Sequence, residues 1–84
     1  MDDIQAVIRR VEKMEKLFDK LLPAAKDPSL QPDIAAATEL RDYYFGGRWQ
    51  KDYELDEQGL LPKDLKRAVL SQDGLYDLFF ALGL

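Results

Sequence analysis

Between Ile4 and Leu22, eight apolar residues recur at helical spacing: Ile4, Val7, Ile8, Val11, Met14, Phe18, Leu21 and Leu22. No other feature restricts the fold as much. The stripe covers one face of a helix about five turns long, and such a face must be laid against something apolar. In a chain of 84 residues, most of the remaining sequence is needed to cover it. Ile4, Val11 and Phe18 fall at heptad a positions, and Val7, Met14 and Leu21 at d. That pattern suits docking on the chain's own core or pairing in a coiled coil. The first is favoured, because so few heptads barely sustain the second. Arg9, Arg10, Glu12, Lys13, Glu15, Lys16 and Lys20 fill the other positions, with Glu12 and Lys16 spaced to pair. Asp2 or Asp3 can cap the helix, and Pro23 interrupts the pattern.

The rest of the chain is punctuated by Pro and Gly. Pro23, Pro28 and Pro32 make residues 23–32 a stiff connection. A second helix starts near Pro32 and Asp33, carries Ile34, Ala37, Leu40 and Tyr44, and stops at Gly46-Gly47. A third is expected from Trp49 to Gln58, with Gly59 as its stop. Pro62 can open a single turn through Lys66, and Ser71 can cap a last helix from Gln72 to Leu82. No segment alternates with the period of a strand. The expected fold is all-α: one domain, 1–84, a small bundle of four to five helices. Residues 1–22 form the long helix, 23–32 the connection and 33–84 the shorter helices. The last helix is apolar nearly all round, with Leu75, Leu78, Phe79 and Leu82 on one face and Tyr76, Phe80 and Leu84 off it. Such a helix is either central or leaves Phe80 and Leu84 for a partner; the small core favours the central place.

Composition removes several function classes. The chain has neither Cys nor His, so disulfides, thiolate metal sites and the commonest general base and metal ligand are missing. A net charge of −4 divides evenly, −2 in residues 1–45 and −2 in 46–84. No basic tract can follow a phosphate backbone, which argues against nucleic acid. The charged N-terminal helix does not resemble a signal peptide, and no apolar run is long enough for a bilayer, so a cytoplasmic protein with no membrane partner is expected. Hydrophobic residues at 46% and aromatics at 11% support a packed core rather than disorder.

The second half carries the pattern with most specificity. Tyr43-Tyr44, Trp49 with Asp52, Asp56 with Gly59, Leu61-Pro62-Lys63-Asp64-Leu65, Val69-Leu70-Ser71 with Asp73, and Tyr76-Asp77-Leu78 follow one another over residues 40–78. This resembles a family of short bacterial proteins known only as a domain of unknown function. The chain differs from that pattern at Ala68, where the family has Gly, and at Gln72, where it has an acid. The resemblance implies a bacterial, helical, intracellular protein and brings no activity with it.

Chemistry can be weighed residue by residue. Glu54, Asp56, Gln58 and Gly59 fit the opening of an EF-hand loop, but Leu65 stands where the closing bidentate Glu belongs, so no metal is expected. Ser29 and Ser71 have no base beside them in sequence, and Asp52 and Asp56 read more simply as surface charge than as a proton-sharing pair. No catalytic residue and no cofactor is assigned. The aromatic residues are more telling. Tyr43, Tyr44, Trp49, Tyr53 and Tyr76 join an apolar body to a polar tip, and Asp42, Asp52, Asp73 and Asp77 can accept from such tips, with Arg41 or Arg48 to pair or stack. Asp52 and Asp73 in particular are expected to hold ring tips or helix N-termini. The plainest expectation is a core held by Tyr/Trp–Asp hydrogen bonds. The functional one is an interaction surface of Tyr43, Tyr44, Arg48, Trp49, Tyr53, Tyr76, Phe80 and Leu84, of the composition found at binding hot spots. The expected function is then a non-enzymatic interaction protein that binds another protein or forms a weak homodimer. A small-ligand binder or minor enzyme with an aromatic–carboxylate pocket is the alternative.

Overall fold

In the computed structural model, which describes residues 3–27, 29–71 and 73–83, the long apolar stripe becomes helix α1, Ile4–Lys26. The Asp3 carboxylate caps it by accepting from the Gln5 N–H at 3.1 Å. The helix does not stop at Pro23. It continues one turn to Lys26, because Pro23 loses only its own donor while its carbonyl still accepts from Asp27 N–H at 2.9 Å. So close to the helix end, little is forfeited. Lys20 reaches forward from the same stretch to Asp33, at 2.8 Å.

Helix α2, Ile34–Phe45, begins at Asp33, which is the capping residue and not part of the first turn: its carboxylate accepts from Ala36 N–H at 3.1 Å. The inward face differs from the expected one. Ala36, Ala37, Leu40 and Tyr43 are buried, whereas Ile34 is exposed and Tyr44 half-buried. Ala36 and Ala37 are buried side by side on this face, and α2 packs on α1. Gly47 takes φ +91°, the left-handed conformation that lets α3, Arg48–Glu57, follow almost at once.

After α3 the chain runs without regular structure. Pro62 opens a turn closed by Leu65 N–H at 3.2 Å, and Arg67 staples this segment. Its guanidinium donates to Asp56 on α3 and to the carbonyls of Pro62 and Lys63. A short 3-10 turn, Ala68–Leu70, then buries Val69 and Leu70. Helix α4, Gly74–Leu82, starts two residues later than expected. Ser71 still serves its N-terminus, its hydroxyl accepting from Gly74 N–H at 2.9 Å. Gly74 fits because a Cβ there would run into the Ala68 carbonyl oxygen and the Ser71 hydroxyl. Among the described residues there are four α-helices and no strand. None of the helices is long and apolar enough to cross a membrane.

The central element is α1. Val7, Val11, Met14, Phe18 and Leu21 are buried under α2, the 3-10 turn and α4. The middle of the stripe is therefore covered within the chain, while Ile4, Ile8 and Leu22 at its edge are half-buried. The last helix, in contrast, is not central: it buries Leu75, Leu78 and Phe79 and leaves Tyr76 and Phe80 exposed. Leu84 lies outside the described residues.

A buried carboxylate network and an aromatic cleft

Two polar positions on the long helix turn inward. Arg10 lies three residues after Val7 and four before Met14; Glu15 lies four after Val11 and three before Phe18. Both belong by spacing to the apolar stripe or its margin. Their partners come from the other end of the fold.

Asp52, on α3, is fully buried. Arg10 grips it with both arms of its guanidinium, Nε to Oδ2 at 2.9 Å and Nη2 to Oδ1 at 2.6 Å. The Tyr43 hydroxyl on α2 donates to Oδ2 at 2.7 Å. One carboxylate thus joins three helices, with its charge met by a planar fork of matching geometry. Burial first, then the hydrogen bond to Asp52, push the Tyr43 hydroxyl well above the ordinary tyrosine range. Folding therefore favours its neutral form. That stability is fully present below about pH 10, the unfolded tyrosine pKa, and is lost as pH rises beyond it. In an alkaline absorbance titration of the folded protein, one of its four tyrosines should stay protonated until the chain unfolds. All four ionising together near pH 10 would contradict this arrangement.

Glu15 is 4% exposed and works differently. Its Oε1 accepts from the Val69 N–H at 2.8 Å. Its Oε2 is buried and has no hydrogen-bond partner among the described residues, with Lys66 Nζ at 3.9 Å as a nearby positive charge. The carbonyl of the same Val69 accepts from the Trp49 indole N–H at 2.7 Å. The 3-10 turn is held at one residue, Val69, whose N–H and carbonyl are bonded to a buried carboxylate and a buried indole.

The expected surface residues separate into three groups. Tyr43 and Trp49 are interior, because each has a buried partner for its polar tip. Tyr44 and Tyr53 are half-buried, and Tyr53 stacks on Trp49 with ring centroids 5.1 Å apart. Arg48, Tyr76 and Phe80 are exposed. Asp52 accepts a ring tip as expected, but Asp73 does not cap its helix: its backbone is already helical and Ser71 takes the free N–H instead. Asp42 and Asp77 are exposed.

What the spacing did not reveal is a cleft of about 340 Å³ between α2 and α4. Tyr44 and Phe79 form its floor, packed edge to face at 5.9 Å. Arg41 and Phe45 stand on the α2 side, and Tyr76 and Phe80 on the α4 side. The rims are apolar and open: Phe80 is 77%, Phe45 72% and Tyr76 61% exposed. Phe45 escapes notice in sequence because it sits against the Gly-Gly stop, where it reads as the end of a helix. A second hollow, about 440 Å³, is lined by Tyr53, Asp56, Glu57, Arg67 and Asp73 among others. Arg67 already engages Asp56 there. Among the described residues no three acids are grouped to hold a metal ion.

No curated protein and no solved structure matches the chain. Over residues 1–82 it matches the profile of a domain of unknown function, DUF4298, and it belongs to that family.

Proposed function

We propose that the protein is a small cytoplasmic binding module, not an enzyme, and that it engages a protein surface through the cleft between α2 and α4. The observation that carries this reading is the exposure of Phe45, Tyr76 and Phe80 around one apolar hollow. At about 200 Å² per aromatic side chain, these exposures leave roughly 400 Å² of ring surface in one place. Patches of that size on small soluble proteins are commonly contact sites. The carboxylates nearest to a catalytic role are already committed: Asp52 to Arg10 and Tyr43, Asp56 to Arg67, and Glu15 to the Val69 backbone. Lack of Cys suits a reducing compartment, and the family resemblance points to a bacterial host.

The cleft's capacity for an apolar group can be read with anilinonaphthalene sulfonate, a dye that brightens on exposed hydrophobic surface. The folded wild type should enhance its fluorescence, and Phe80→Asp should remove most of the enhancement while the circular dichroism stays unchanged. Equal enhancement by both proteins, or none by the wild type, would overturn the reading.

A further inference from the structure

We propose that the surface received by this cleft is the same cleft of a second copy, in a two-fold dimer. The inference rests on reading the cleft as a contact site and adds the identity of the partner. Three observations lead to it.

The first is composition of the surface. The cleft sets covered rings beside exposed ones: Phe79 is buried and Tyr44 half-buried, while Phe45, resting on both, and Phe80 are largely exposed on opposite sides. A surface that supplies both kinds of ring can be complementary to itself, which a two-fold contact requires.

The second is charge. Arg41 lines the α2 wall, and α4 carries Asp77, exposed beside the cleft rather than in its lining, next in sequence to Tyr76 and three residues before Phe80. Both are exposed, and neither enters an ion pair with another described residue. Two kinds of two-fold axis could bring the clefts face to face. An axis running across the cleft sets α2 on α2 and α4 on α4, with Arg41 near its own copy and Asp77 near its own. An axis running along the cleft sets α2 of one copy on α4 of the other, so that each Arg41 meets an Asp77 and the pairing occurs twice. Opposite charges at the rim favour the second arrangement, and like charges disfavour the first.

The third is area. With roughly 400 Å² of ring surface per copy, the pair hides about 800 Å² of aromatic surface. Stable complexes bury about 1,200–2,000 Å² in total. The dimer is therefore weak and reversible, and the exposed rings are the surface of a monomer in exchange with it.

Sedimentation equilibrium over a wide concentration range tests the arrangement. The wild type should shift from monomer mass toward dimer mass as concentration rises. Arg41→Asp and Asp77→Arg should each weaken association by roughly tenfold or more, through like charges facing each other. The two together should restore it, and Phe80→Asp should abolish it. All these positions are exposed, so thermal unfolding should be nearly unchanged and will show whether a variant still folds. A wild type that is monomeric at every concentration overturns the proposal, as does a dimer indifferent to either charge reversal or a double variant no better than the singles. A monomer that still binds the dye at Phe80 leaves the cleft as a contact site for a different partner; a monomer that does not bind it removes both readings.

Discussion

Asp52→Ala should lower the unfolding free energy by about 3–5 kcal/mol, the usual cost of removing one partner from a buried ion pair. The loss is large because two groups are stranded at once. Arg10 keeps its charge but loses the carboxylate that both arms of its guanidinium engage, and the Tyr43 hydroxyl loses its acceptor. For a domain whose total stability is roughly 5–15 kcal/mol, that is a substantial fraction. Asp73→Ala makes the contrast. Its carboxylate is exposed and caps nothing, so the change should stay within about 0.5 kcal/mol. Urea unfolding of both variants beside the wild type gives the comparison. An Asp52→Ala protein as stable as the wild type would show that the carboxylate is not holding the three helices. Arg10→Met with Asp52→Leu, which removes both charges while keeping apolar volume, should recover part of the loss, because the penalty lies mainly in the unpaired charge.

Trp49→Ala should cost about 3–5 kcal/mol, as truncation of a buried large aromatic does. Two separable losses contribute. The indole fills the space between Tyr44 and Tyr53, with ring centroids at 4.9 and 5.1 Å, and its N–H satisfies the buried Val69 carbonyl. Trp49→Phe keeps most of the first and loses the second, and should cost about 1–3 kcal/mol. Guanidinium unfolding followed by circular dichroism distinguishes them, since the fluorescence probe itself is removed. Equal losses for Ala and Phe would place the whole effect in the hydrogen bond. No loss for either would remove Trp49 from the core.

The helices were legible because their signals are local. The spacing from Ile4 to Leu22, Gly46-Gly47 and Ser71 before Gly74 each act within a few residues, and α1, α2 and α4 begin or end close to them. Pro23 misled for an equally local reason: its breaking power depends on how many turns follow, and here only one does. The rotation of α2 was not legible. Ile34 and Tyr44 look as apolar as the residues that went inward, and small alanines at 36 and 37 give no sign in sequence that they are the buried ones. The polar core was half legible. Asp52 could be singled out among the aromatics, but its partner Arg10 lies 42 residues away, and no spacing rule reaches that far. Glu15 gave a readable sign that is easy to pass over, namely an acid in the middle of an apolar stripe. The cleft needed the structure altogether, because its walls meet only once α2 and α4 have both docked on α1.

The double anchoring of the Val69 backbone has a consequence for how the molecule opens. Its N–H is bonded to a side chain 54 residues earlier and its carbonyl to one 20 residues earlier. Among the described residues, the stretch from Leu60 to Ser71 has the least regular structure and would ordinarily be the first to breathe. Here it cannot lift away alone. Detaching it would strand a carboxylate on the longest helix and an indole on α3, so the irregular segment shares its fate with α1. The least ordered part of the chain is thereby enrolled in the same cooperative unit as the most ordered, and the domain should open as a whole or not at all.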